Sequence, residues 1–158
     1  MTHSSKPEML NISWDEFHRE TKTLARKLHK MRDWEGIIAV TRGGMVPAAI
    51  LSRELGIRKV DTVCISSYDE QRQGQLELLK STSYSGAGWL VVDDLVDSGA
   101  TLKFVRELLP DVYMTTVYAK PAGKPMVDLY LRDVAQETWI NFPWDLSLEN
   151  TNPLCKES

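Results

Sequence analysis

Apolar residues recur at helical spacing early in the chain and in short unbroken runs afterwards. Trp14, Phe17, Thr21, Leu24, Leu28 and Met31 follow one another at three- and four-residue steps, which predicts one stripe of an amphipathic helix. Ser13-Trp14-Asp15-Glu16 at its start is a capping-box pattern, in which hydroxyl and carboxylate satisfy free backbone N–H groups. His18 and His29 fall off the stripe and are expected to face solvent. Residues 1–10 are polar and expected to be loose, apart from whatever Met9 and Leu10 dock against.

Gly36-Ile37-Ile38-Ala39-Val40 predicts a short buried strand with the loop Thr41-Arg42-Gly43-Gly44 at its carboxyl end. Val46–Leu55 follows as a helix stopped by Gly56, with Pro47 tolerated in its first turn. Val60–Ser66, rich in Val, Ile and Thr, predicts the next strand. Residues 69–86 carry Gln, Gly and Ser around a brief Leu76–Leu79 patch. They are expected to form a mobile loop with at most a small hairpin, and a long loop in a compact domain is commonly a lid. Leu90-Val91-Val92 is a further buried strand, running into Asp93-Asp94-Leu95-Val96-Asp97-Ser98-Gly99-Ala100-Thr101 and then a helix with Leu102, Phe104, Val105, Leu108 and Leu109 as its apolar positions. Past Pro110, Val112–Ala119 predicts a strand ended by Lys120-Pro121-Ala122-Gly123-Lys124-Pro125. Val127, Leu129 and Leu131 alternate with polar residues as in a half-buried strand. The segment Thr138–Asp145 holds too many aromatics for a linker.

Strands alternating with helices predict an α/β fold: a doubly wound, mainly parallel sheet with flanking helices, completed by a small C-terminal hood. One domain spanning 1–158 is expected, without internal repeats. The loops after its strands should converge on one crevice.

With 158 residues, 42% hydrophobic and 26% charged, the chain has an ordinary globular composition. Its formal net charge of −3 argues against nucleic acid as a partner. No apolar run is long enough to span a bilayer, and the N-terminus lacks a signal-peptide core. The two cysteines, Cys64 and Cys155, lie in an apolar strand and a polar tail, which fits a reduced cytoplasmic compartment better than a disulfide.

Candidate chemistry sits in three of the loops. Backbone N–H groups at the helix start after Asp97, with Ser98, Gly99 and Thr101, form a cradle for phosphate. Carboxylates beside it would repel a bare phosphate, so the ligand should also bring Mg²⁺ or sugar hydroxyls. Arg42 with Gly43 and Gly44 offers a guanidinium and close backbone approach to an anion. A receiver-type domain also places paired aspartates at a strand end, near a lysine such as Lys120. That alternative leaves the Asp97–Thr101 run before the helix unexplained.

Asp93–Thr101 resembles the signature of the type I phosphoribosyltransferases, which bind 5-phosphoribosyl-1-pyrophosphate. Taken with Ser66-Ser67-Tyr68-Asp69, Ala119-Lys120-Pro121-Ala122-Gly123 and Thr138-Trp139-Ile140, the chain is similar over about residues 12–145 to the bacterial members acting on xanthine and guanine. The resemblance implies a homotetramer, Mg²⁺ dependence and salvage of guanine, xanthine and, more weakly, hypoxanthine. It implies that Asp93 and Asp94 meet the ribose hydroxyls, with Asp94 in the Mg²⁺ shell. Leu95, Val96 and Asp97 through Thr101 would complete the sugar-phosphate loop, Ser98, Gly99, Ala100 and Thr101 holding the 5-phosphate. Arg42 and the Gly43 amide would take pyrophosphate. Asp97 would meet N7 of the base as acceptor or general base, Lys120 would donate to the oxygen on C6, Trp139 would stack, and the Ile140 carbonyl would accept from the edge near C2. Members carry a basic residue in the mobile loop. Register from Tyr68 puts that position at Gly74, leaving Arg72 as the nearby substitute. A regulatory protein that keeps the sugar loop as a sensor is the rival from another class. Some relatives associate peripherally with the inner membrane face, but nothing here is an amphipathic or lipidated anchor.

Overall fold

The computed structural model describes residues 6–67, 75–145 and 153–154. Ser13 caps α1 (Trp14–Met31) through a hydrogen bond that its hydroxyl accepts from the Glu16 N–H at 3.1 Å. The predicted stripe buries Phe17, Thr21, Leu24 and Leu28, while Trp14 and Met31 at its two ends stay exposed. β2 (Gly36–Thr41) leads into α2 (Met45–Leu55). Gly56 ends α2 at φ 67°, the left-handed conformation that glycine adopts without a Cβ penalty. β3 (Val60–Ser67), β4 (Leu76–Lys80), β5 (Trp89–Val96), α3 (Ala100–Leu108), β6 (Tyr113–Ala119), β7 (Leu129–Asp133) and β8 (Trp139–Asn141) follow.

Six strands form one sheet in the order β4-β3-β2-β5-β6-β7. All its neighbours are parallel except β3 and β4, which pair antiparallel with a register irregularity at Cys64 and Ile65. The Leu76–Leu79 patch is therefore the return strand of a hairpin on the sheet edge. Alternation along the central strands divides the core. Ile37, Ala39, Leu90 and Val92 face one layer with Phe17, Leu24, Leu28, Ala48 and Leu51 of α1 and α2. Ile38, Val40 and Val91 face the other with Leu102 and Val105 of α3.

Residues 1–5 of the expected loose stretch lie outside the described residues, and Met9 and Leu10 do dock. Met9–Asn11 form β1, which pairs in parallel with β8 as a separate two-stranded sheet, Leu10 opposite Ile140. Three residues pairing with a segment about 130 positions away leave no local periodicity to read. The hood is thus built from both ends of the chain. It is fastened to α1 by stacked Phe142 and Trp144, whose ring centroids lie 4.7 Å apart, and Phe17 meets the Trp144 ring edge-on at 4.7 Å. No helix among the described residues is long and apolar enough to cross a membrane.

Candidate active site

β2 and β5 lie side by side, and the chain winds away from them in opposite directions, through β3 on one side and β6 on the other. Their carboxyl ends flank a topological switch point, where open α/β sheets leave a crevice. A cavity of about 790 Å³ opens there. Thr41, Arg42 and Gly43 line it from the end of β2 and the loop after it, Asp93, Asp94 and Thr101 from β5 and α3, and Trp144 and Asp145 from the hood. A smaller cavity of about 100 Å³ adjoins it, walled by residues 95–102 and Asp93.

The buried run Leu90–Val92 carries Asp93 and Asp94 to the floor of the crevice. Asp93 Oδ1 accepts from the Asp94 N–H at 2.9 Å, and Asp94 Oδ1 accepts from the Leu95 N–H at 2.7 Å. Burial pushes the Asp93 carboxyl well above the usual carboxylate range, and the adjoining Asp94 charge adds to the effect. Burial raises Asp94 as well, against the hydrogen bonds it accepts, with the Asp145 charge acting in the same direction as burial. Two apposed carboxyls held this way favour a cation or hydroxyl donors as their complement. Arg42 is exposed on the opposite lip. Gly44 cannot carry a side chain, because a Cβ there would fall 2.6 Å from the Val40 carbonyl oxygen.

The α3 N-terminus faces the smaller cavity. Gly99 precedes it at φ 90°, a turn that favours glycine, and Ser98 Oγ accepts from the Ala100 N–H at 3.3 Å. Asp97 projects beside this turn with 57% of its side chain exposed, yet both oxygens have partners. Lys120 Nζ lies 3.2 Å from Oδ2, and Gln136 Nε2 donates to Oδ1 at 2.9 Å. The Lys120 side chain is buried to 6% exposure, and its ammonium is held against Asp97, which walls the smaller cavity. Its backbone N–H bonds the Val96 carbonyl at 2.9 Å, and Gly123 sits so close that a Cβ would lie 2.8 Å from the Asp97 carbonyl oxygen. The Lys120–Gly123 turn and the Asp97 loop therefore pack as one unit.

In the hood Trp139 is 61% exposed, and its indole N–H donates to Asn141 Oδ1 at 3.1 Å. Asn141 in turn donates to Asn11 Oδ1 at 3.0 Å. Trp139 bonds Glu8 through its N–H and Asn141 bonds Ile12 through its carbonyl. In a parallel ladder alternate residues bond to the same neighbour, so the N–H and carbonyl of Ile140 point to the edge away from β1. The Ile140 side chain is buried in the core.

The family model described as "Phosphoribosyl transferase domain" matches residues 13–151. The chain belongs to the phosphoribosyl transferase family. It is 52% identical over 147 residues to the xanthine-guanine phosphoribosyltransferase of Chromohalobacter salexigens, covering 93% of this chain and 90% of that one. It is 51% identical over 144 residues to the protein of the same name from Desulfotalea psychrophila, covering 90% of each. The Helicobacter pylori xanthine-guanine-hypoxanthine phosphoribosyltransferase shares the fold, with a TM-score of 0.75 at 24% identity over 90% of this chain and 96% of that one. The expected doubly wound architecture is that of this phosphoribosyltransferase family.

Within the phosphoribosyltransferase, Arg42, Gly43, Asp93, Asp94 and Thr101 share the larger cavity. Leu95, Val96, Asp97, Ser98, Gly99 and Ala100 wall the smaller one with Asp93 and Thr101. Lys120 joins them through Asp97. Trp139 and Ile140 stand on the hood, outside the lining of either cavity. Arg72, Tyr68 and Asp69 lie outside the described residues, as does Cys155. Sequence reading did not single out Gln136 or Asp145. A lone glutamine between β7 and β8 carries no spacing signal. Asp145 follows Trp144 in the aromatic segment and becomes visible as a site residue only once the hood is placed.

Proposed function

We propose that this phosphoribosyltransferase salvages 6-oxopurines. It transfers the 5-phosphoribosyl group from 5-phosphoribosyl-1-pyrophosphate to N9 of guanine or xanthine, and more weakly hypoxanthine, giving GMP, XMP or IMP and pyrophosphate. The observation that carries this reading is the position of Asp97. It sits before α3 and is hydrogen-bonded to the buried Lys120, which supports a base-contacting role for the pair beside a phosphate-binding helix start. Two relatives of the same printed name, matched over nearly their whole length, support the choice of bases.

The α3 N-terminus and Ser98–Thr101 hold the 5-phosphate through backbone N–H groups and hydroxyls. Asp93 and Asp94 take the ribose hydroxyls, while Arg42 and the Gly43 amide receive the pyrophosphate. The donor set suits Mg²⁺: Asp93 and Asp94 offer hard carboxylate oxygens to the cavity. Asp94 would be the protein residue that holds such an ion, mostly through water. When bound, it neutralises charge growing on the departing pyrophosphate.

The bond from N9 to C1 forms as the C1–oxygen bond breaks, and the pyrophosphate leaves with that electron pair. The purine loses a proton in the exchange, and Asp97 at N7 accepts a hydrogen bond or, as general base, the proton itself. Lys120 donates to the oxygen on C6. A 6-amino group would leave that ammonium facing another donor, which disfavours adenine. Trp139 stacks on the ring, and the outward carbonyl of Ile140 accepts from the edge near C2. Of the expected loop 69–86, β4 and the turn after it belong to the sheet edge, so closure over the reaction would fall to the part before β4, with Arg72 as its basic residue at pyrophosphate. Of the expected hood, about 126–150, β7 belongs to the main sheet, and β8 pairs with β1 instead. A homotetramer of single-domain chains, cytoplasmic with at most peripheral contact with the inner membrane face, belongs to the same reading.

The test is nucleotide formation by the purified protein with Mg²⁺, the pyrophosphorylated sugar and each of guanine, xanthine, hypoxanthine and adenine. Metal-dependent product with the oxopurines and almost none with adenine is expected. Sugar binding without turnover on any base would favour the sensor instead.

A further inference from the structure

Lys120 has two acceptors to serve in the proposed reaction. Before the base arrives its ammonium lies 3.2 Å from Asp97 Oδ2, and when the base is bound it must reach the oxygen on C6. Asp97 would then lose a partner at the moment its direction matters most, and 57% of its side chain is open to water. A carboxylate so exposed has little packing to fix its rotamer.

Gln136 supplies a second hold. Its Nε2 donates to Asp97 Oδ1 at 2.9 Å, on the oxygen that Lys120 does not use. Its Oε1 accepts from the Ala122 N–H at 2.9 Å. That second bond fixes the amide, because a backbone N–H can only donate: the oxygen must face Ala122 and the NH₂ must face Asp97. Ala122 lies in the turn after Lys120, whose Gly123 packs against the Asp97 backbone. The bridge therefore spans from the β7–β8 connection of the hood to the base-contacting carboxylate without involving the ammonium.

We propose that Gln136 is a positioning residue for base recognition. It pins Oδ1 of Asp97 so that Oδ2 stays aimed at N7 of the purine while Lys120 shifts its hydrogen bond to the base. Being neutral, it orients the carboxylate without taking its place as acceptor. This rests on the reading of Asp97 as the base-contacting group.

The experiment compares Gln136→Leu, Gln136→Glu and Asp97→Asn in steady-state kinetics for guanine and for the pyrophosphorylated sugar, with thermal melts alongside. Gln136→Leu should lower kcat/KM for guanine by about ten-fold, the low end for a hydrogen bond to a charged group, given the exposure. The KM for the sugar substrate should change by less than about two-fold. Gln136→Glu keeps the acceptor for Ala122 but faces Asp97 with like charge, so it should lose more than Leu at neutral pH and recover part of the loss as the pH falls. Guanine kinetics unchanged in Gln136→Leu, while Asp97→Asn is crippled, would overturn the positioning role alone. Equal losses for guanine and sugar, together with a lower melting temperature, would overturn it in favour of a structural role. Full guanine turnover in Asp97→Asn would overturn the reading of Asp97 itself.

Discussion

The carboxylate of Asp94 occupies the space beside Gly43 where a side chain would stand: a Cβ built on Gly43 falls 2.7 Å from Asp94 Cγ. The β2 loop and the β5 carboxylate are thus fitted to each other, and both line the crevice. Gly43→Ala should push Asp94 out of place while leaving the fold intact, because the clash is with a side chain end. A misplacement of that kind costs about 10²-fold in kcat/KM for the pyrophosphorylated sugar. Gly44→Ala is the contrast, since its Cβ meets backbone oxygen at 2.6 Å and should lower the melting temperature itself. Kinetics and thermal melts of the two variants side by side separate these effects.

Asp97→Asn keeps the size of the side chain and removes its charge. Turnover should fall by about 10²–10⁴-fold, the usual share of general base catalysis, with sugar-phosphate binding nearly unchanged. Binding of the sugar substrate by calorimetry and turnover with guanine check the two halves. Equal losses in both would place Asp97 with the sugar rather than the base.

Trp139 is 61% exposed, so its removal should barely disturb folding. Stacking on a base is worth about 1–3 kcal/mol by alanine substitution. Trp139→Ala should therefore raise the KM for guanine and xanthine by about 5–150-fold with an unchanged melting temperature, and Trp139→Phe should keep part of the affinity. An Asn141→Ala variant loses the acceptor for the indole N–H and should show a weaker change of the same kind. Equal KM values for parent and Trp139→Ala would remove the ring from the base site.

What could be read from sequence was local. The strand, the acidic loop and the helix start around Asp93–Thr101 are contiguous, so periodicity, a glycine and hydroxyl side chains announce them together. The switch point followed from strands alternating with helices, without any knowledge of pairing. The features that escaped depend on pairing across the chain. β1 is visible only through β8, and Gln136 only through an oxygen 39 positions away. Lys120 stood between the two: its position after a strand was legible, but its buried stem and its bond to Asp97 were not.

Asp61 on β3 accepts hydrogen bonds from Lys80 Nζ at 2.8 Å, Thr82 Oγ1 at 2.6 Å and the Thr62 N–H at 2.8 Å. The Lys80 bond contributes most, and together they hold the Asp61 carboxyl down at about 2, against the ordinary 3.8. A carboxyl depressed in the folded state contributes stability that is fully present above its unfolded value and is lost as the pH falls through its folded value. Asp61 ties β3 to β4 and the following turn, so its loss should loosen the sheet edge. The full shift corresponds to about 2.4 kcal/mol, and solvent screening around the half-exposed Lys80 reduces the expectation to about 1 kcal/mol. Asp61→Asn should accordingly melt roughly 3 °C below the parent at pH 7. The gap should narrow as the pH is lowered from 5 and be roughly half gone at pH 3. Thermal melts of both proteins across that range check the sign. A gap that stays constant down to pH 3 would show that the side chain acts through packing rather than charge.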